Sequence, residues 1–294
     1  MPSSKNQNSV STLKTIIFTF LALIAFAANS VICRAALKDQ LIDPGAFTVI
    51  RLVSGAAVLL LLVYFRHFKK NSKRSKGSWI SAMMLFMYAT AFSFAYVSID
   101  TATGALIVFG AVQITMITYA LLKGYKMQGS EWLGMLIAFI GFVYLMLPGA
   151  QSPPVLGAVI MTISGIGWGM YSVLGKKSEN PLEDTAYNFL RSIPFLLLIL
   201  FFLIHEQNYS VQGVLLALLS GMVTSGLGYT IWYMALRGLN SIQASVVQLL
   251  VPVLAAFGGI VFIGEAVSLE LIISGTLILG GILIMTLVKK SMNE

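Results

Sequence analysis

The sequence predicts an all-helical integral membrane protein with ten transmembrane helices in two inverted repeats of five. Three observations predict it. Of the 294 residues, 57% are hydrophobic and only 10% charged, whereas a soluble domain is about a quarter charged. Ten apolar runs fill the chain, each close to the roughly 20 residues that cross about 30 Å of hydrocarbon. A single shift of 140 residues superposes the later runs on the earlier ones.

The runs lie at 13–36, 44–66, 78–98, 102–123, 131–147, 154–175, 185–204, 211–236, 242–263 and 268–288. Short separators with turn chemistry divide them, such as Asp43-Pro44 and the proline-rich stretch 148–154. In the first run, Lys14, an apolar stretch and Ala25-Phe26-Ala27 imitate a secretory signal with a cleavage site. Against cleavage, the run continues through Val31-Ile32-Cys33 and has a counterpart in the second half.

The shift pairs Arg51 with Arg191, Ala95 with Ala235, Gly124 with Gly264 and Gly141 with Gly281. It assigns residues 1–150 to a first repeat and 151–294 to a second, with 148–154 as the seam. Five helices per repeat is an odd number, so the second copy must insert upside down, the plan of many secondary transporters.

Charge placement tests the helix count. With ten spans, fifteen lysines and arginines fall on the side of the N-terminus, from Lys5 and Lys14 through the Arg66–Lys76 cluster to Lys289 and Lys290. Arg34 and Lys38 fall on the other, and Arg51 and Arg191 lie inside their runs. The positive-inside rule then places both termini in the cytoplasm of a cell whose inner (plasma) membrane the chain spans. The net charge of +8 reads as a topology signal, and no nucleic-acid partner is expected.

Several function classes are excluded. Cys33 is the single cysteine, and His67 and His205 stand at the ends of runs, so no metal cluster is expected. No H-E-x-x-H, phosphate-binding lysine loop or dinucleotide fingerprint occurs, so no cofactor and no enzymatic activity is expected. All eleven acidic residues fall in loops or near helix ends, which removes the intramembrane carboxylate that proton-coupled carriers often use.

The candidates for a site are the polar and aromatic residues at membrane depth. Asn29, Tyr88, Gln113 and Gln248 must face protein or water, because hydrocarbon leaves their donors unpaired. Pro252 lies four residues after Gln248 and removes a backbone bond, freeing carbonyls that a ligand could use. Trp168 and Tyr171 in a glycine-rich segment of the sixth run, and Tyr229 and Trp232 in the eighth, suit the wall of a cavity. Trp79 and Trp132, at run starts, suit the interfacial belt. Arg51 and Arg191, each about 10 Å along its run, either face a polar cavity or pin broken helix ends, or else snorkel to an interface or pair with acids there such as Asp184; a structural or gating role is expected of both.

These residues resemble a known family, the drug/metabolite transporter superfamily built from two EamA-type five-helix repeats. The resemblance rests on Asn29-Ser30 through Arg34, then Phe47-x-x-x-Arg51-Leu52, on Trp168-Gly169-x-Tyr171-Ser172, and on Pro252 followed by Gly264-Glu265. It covers nearly the whole chain. Within the superfamily the chain is similar to YddG-type exporters of amino acids, which implies a ten-helix basket with a central cavity and alternating access. The first repeat departs from the pattern, with Gly124-Tyr125 opposite Gly264-Glu265 and Val112 opposite Pro252.

The expected partners are a small-molecule substrate and the bilayer, with the chain a monomer or a weak homo-oligomer. The expected function is export of amino acids or similar polar metabolites from an uncharged, amide- and aromatic-lined cavity around which the halves rock. Export of cationic drugs by the same fold, and a non-transporting assembly subunit, are the alternatives.

Overall fold

A computed structural model describes residues 12–67, 75–124, 128–146, 153–200, 209–239 and 241–291. Most of the expected seam, together with Tyr125 and His205, lies outside the described residues. The first six helices are α1 (Thr12–Lys38), α2 (Pro44–His67), α3 (Trp79–Ala95), α4 (Thr101–Leu122), α5 (Gly129–Met146) and α6 (Val155–Gly175). Helix α7 opens as Pro181–Ser192, tightens into a 3-10 turn at Ile193–Leu196 and resumes at Leu197–Leu200. Helix α8 runs through Val211–Leu219, a π-helical stretch at Ser220–Leu227 and Gly228–Leu236. Helix α9 is broken into Ser241–Val247 and Leu250–Gly258, the latter continuing as a π turn at Gly259–Ile263, and α10 is Leu269–Ser291. These are ten helices, and among the described residues the only β pairing is an isolated bridge between Ile42 and Tyr209.

Apolar composition makes these segments helical, because a chain without water must satisfy its backbone internally. Six are long and apolar enough to cross a membrane by themselves. Large apolar side chains such as Ile80, Leu136, Val155 and Phe262 are exposed around the outside, as a lipid-facing surface requires. Trp79 and Trp132 are also exposed, at 55% and 57%, in keeping with the belt reading.

The helices pack across the repeats more than within them. Helix α6 lies against α3 and α4, and α1 against α8 and α9, so each repeat lends its first helix to the other. Helix α2 packs on α7 and α8, and α5 pairs with α10 at one edge. That pairing shows the inverted symmetry at atomic level. A Cβ on Gly141 would lie 3.0 Å from the Ile278 nitrogen, and one on Gly281 would lie 2.6 Å from the Ala138 nitrogen. Positions 138 and 141 become 278 and 281 under the 140-residue shift, so the two contacts are the same contact seen from either side.

Gly124 and Gly264, also related by the shift, both carry positive φ, +91° and +71°. Glycine adopts this left-handed conformation without a Cβ penalty and so ends a helix. Helices α4 and α9 thus stop by the same device.

The two ends of the bundle are tied by different chemistry. At one end the Arg34 guanidinium reaches Glu265 and Asp100 at 3.1 and 2.8 Å and donates to the carbonyls of Tyr96 and Val97. Glu265 also accepts from the Thr101 amide at 2.9 Å, capping α4. At the other end the acidic first turn of α7 holds the segment before α3. Ser75 donates its amide to Glu183 and its hydroxyl to Asp184, and the Ser78 amide donates to Asn188.

Candidate functional site

Between these ends, seven helices aim polar and aromatic side chains at one another. The centre is Arg51 on α2, which is fully buried. It lies seven residues into α2, roughly 10 Å from the Pro44 end at 1.5 Å per residue. Its Nε donates to the Ser225 hydroxyl at 2.8 Å, and its Nη2 to the Tyr229 and Tyr88 hydroxyls at 2.5 and 3.3 Å. The guanidinium carbon stands 5.2 Å from both the Tyr88 and the Phe92 ring centroids, a cation–π arrangement. Its Nη1 is buried with no hydrogen-bond partner.

The Tyr88 hydroxyl also receives bonds from Tyr229, at 3.0 Å, and from the Asn29 amide, at 3.5 Å. The Asn29 carbonyl oxygen accepts from Ser220 and Thr224 at 2.7 and 2.9 Å. Ser220, Thr224 and Ser225 all belong to the π-helical stretch of α8. A π turn is wider than an α turn and is frequent at functional sites; here it turns three hydroxyls toward α1 and α2. Gly221 lets this turn approach, because a Cβ there would collide with the Arg51 carbonyl and the Ser54 hydroxyl.

Rings enclose this polar centre. The Trp168 centroid lies 4.6 Å from Tyr229, 5.0 Å from Tyr88, 5.6 Å from Tyr171 and 5.0 Å, edge to face, from Phe26. Phe26 meets Trp232 at 5.6 Å, and the Trp232 indole donates to the Ser172 hydroxyl at 3.2 Å. Trp168 donates to the Gln248 carbonyl oxygen at 3.0 Å, and the Gln248 amide donates to the Ala244 carbonyl at 2.8 Å. Gln113 donates to the Ser245 carbonyl, and its own Oε1 has no partner.

Seven of the eight expected cavity residues thus join through these bonds and rings: Asn29, Tyr88, Trp168, Tyr171, Tyr229, Trp232 and Gln248. Gln113 stands beside them on the Ser245 carbonyl. All eight are exposed by 6% or less, so the rings fill the space between the helices. Pro252 does break α9, at Gln248-Leu249. The carbonyls near the break are used internally, however: that of Gln248 accepts from Val251 at 3.0 Å, and those of Ala244 and Ser245 accept from the two glutamine amides.

The two arginines part company. Arg51 does not snorkel and has no acidic partner among the described residues, so the site is not the uncharged one expected. Arg191 is half-buried at the other end of the bundle, donating to the Lys76 carbonyl and standing 5.4 Å over the Trp79 ring. Their sequence positions are related by the 140-residue shift, and their different surroundings reflect unrelated side chains at the shifted positions. Phe26 and the hydroxyls of Ser220, Thr224 and Ser225 escaped sequence reasoning. The spacing of these hydroxyls is not that of an α-helical face, since positions i and i+5 diverge around the axis, and only the π turn brings the three to one side.

The model of the EamA-like transporter family matches residues 13–147 and 155–287. An uncharacterized protein of Pseudomonas aeruginosa is 46% identical over 269 residues, covering 92% of this chain and 93% of its own. An uncharacterized transporter of Archaeoglobus fulgidus is 24% identical, covering 93% and 97%, and the uncharacterized transporter YoaV of Bacillus subtilis is 23% identical, covering 83% and 88%. A solved crystal structure covering 95% of the chain and 98% of its own superposes with a TM-score of 0.67 at 19% identity, which speaks for the fold alone.

Proposed function

Since the chain belongs to the EamA-like transporter family, we propose that this membrane transporter exports amino acids by alternating access around the Arg51 cluster. One observation carries this reading: buried polar and aromatic side chains from both repeats converge mid-bundle, between two separately tied ends. Buried polar groups in a bilayer are costly and are kept where they serve a pathway. The guanidinium there repels a cationic cargo, which disfavours the cationic-drug alternative. An assembly subunit has no need of such a centre.

The basic loops set the Arg191 end in the cytoplasm of an inner-membrane protein, with both termini there, by the positive-inside rule. The Arg34 tie then closes the outer side and the Ser75 to α7 tie the inner one. The repeats at 1–150 and 151–294 exchange their first helices, so the moving bodies are the mixed bundles α1, α8, α9 and α3, α4, α6 rather than the repeats themselves. The test is purified protein in liposomes with labelled amino acids, nucleosides and cationic dyes. Flux of amino acids is the expected result, and flux of dyes alone would refute it.

A further inference from the structure

We propose that Arg51 is the docking point for a carboxylate of the cargo, with its unpartnered Nη1 donating to that group. This deepens the amino-acid export reading and rests on it. A guanidinium presents five N–H donors, and here Nε and Nη2 are used by hydroxyls while Nη1 meets none. The charge itself has no acidic partner among the described residues: Arg51 bonds two phenols and a serine and stands over two rings.

Such an arrangement is not what a mere tether needs. A neutral amide could bridge Ser225, Tyr229 and Tyr88 without bringing an ion into a low-dielectric interior. A charge kept at that cost, roughly 10 Å from a helix end and encircled by polarizable rings, suits a ligand that supplies the opposite charge. Guanidinium matches carboxylate in a planar, two-point fashion. Trp168, Phe26 and Tyr229 around it then favour a carboxylate borne on an aromatic or bulky apolar body.

The experiment uses wild-type protein and a matched set: phenylalanine, its amide, its methyl ester, 3-phenylpropionate, phenethylamine, acetate and chloride. Binding is read as ligand-induced thermal stabilisation in detergent and transport as flux in liposomes. Phenylalanine and 3-phenylpropionate should both stabilise, and the amide, ester and amine should bind at least about tenfold more weakly, the loss expected from one charge-assisted bond. In Arg51→Gln the acid and its amide should become equivalent within about twofold; Arg51→Lys, which keeps charge without the fork, should restore part of the preference.

Equal binding of acid, amide and ester by the wild type would overturn the proposal, as would a preference that survives in Arg51→Gln. Equal stabilisation by acetate or chloride would also overturn it, by assigning Arg51 to any small anion. The thermal readout needs no transport, so absence of flux with intact acid preference would sink the export reading and leave this one standing.

Discussion

Arg34 Nε lies 3.1 Å from Glu265 Oε1, across 231 positions of sequence. The pair fastens the end of α1 to the turn after α9, and Glu265 at the same time caps α4 through the Thr101 amide. Three helices therefore share one nearly buried carboxylate, whose side chain is 9% exposed. This explains why the Gly264-Glu265 sequence has no acidic counterpart at Gly124-Tyr125: the tie is needed at one end only, the other being closed by α7.

Arg34→Ala should open that end. Removing one partner of a buried pair leaves an uncompensated charge and costs about 3–5 kcal/mol in soluble proteins. Cys33 is the single cysteine and is 0% exposed beside the arginine, so it reports the opening directly. A membrane-impermeant maleimide added from outside should label Cys33 at least about tenfold faster in Arg34→Ala than in the wild type, and only slightly faster in Glu265→Gln, which still accepts a hydrogen bond. Unchanged labelling in both would mean that the contact is not a closure.

Gly281→Ala should destabilise where Gly280→Ala does not. A Cβ at position 281 would lie 2.5 Å from the Gly134 carbonyl and 2.6 Å from the Ala138 nitrogen, both backbone, whereas one at 280 meets nothing within 4 Å. Overpacking of this kind costs about 1–3 kcal/mol, while an unhindered glycine in a helix gains up to about 1 kcal/mol on becoming alanine. Thermal midpoints of the two variants should therefore move in opposite directions, and Gly141→Ala should behave as Gly281→Ala does. Equal shifts at 280 and 281 would break the argument for a close α5–α10 crossing.

Composition and period reveal the spans, because a bilayer imposes one length and one polarity on each helix. They fail where a helix carries polar residues into its own first turn. The apolar run begins at 185, but α7 begins at Pro181, with Glu183 and Asp184 in its first turn bonded to Ser75 of the segment before α3. Depth along a helix was legible for Arg51 but not for Arg191, whose helix begins at Pro181, ten residues before it, and direction around the axis was legible for neither. Direction depends on which helices cross there, and α8 meets Arg51 through Tyr229 and through a π turn whose Gly221 lies against the Arg51 carbonyl. Such a turn arises from packing and leaves no pattern in the chain. The polar members of the buried cluster were recoverable because any polar group at membrane depth must find a partner.

Arg191→Gln should be nearly silent. Its side chain is half-buried at the rim of the bundle, and what it loses is one backbone acceptor and a ring contact with exposed Trp79. Substitutions of this kind change stability by about 0.5 kcal/mol or less. Transport by Arg191→Gln should stay within about twofold of wild type, while Arg51→Gln should lose most of it. Comparable losses at both positions would show that the two arginines act together through the repeat symmetry.

Trp168→Phe separates packing from function in the cluster. Phenylalanine keeps a ring against Phe26, Tyr88 and Tyr229 but drops the indole N–H that donates to Gln248 at 3.0 Å. The Gln248 carbonyl oxygen is then buried without that donor, at a cost of about 1–3 kcal/mol. Gln248→Met in the same chain removes the orphaned acceptor while keeping side-chain length, so the double variant should regain most of the thermal midpoint lost by Trp168→Phe alone. Transport should not recover with it, because the break in α9 then carries no side-chain link to α6 and the two bundles move without register. Recovery of flux together with stability would return this hydrogen bond to a purely structural role.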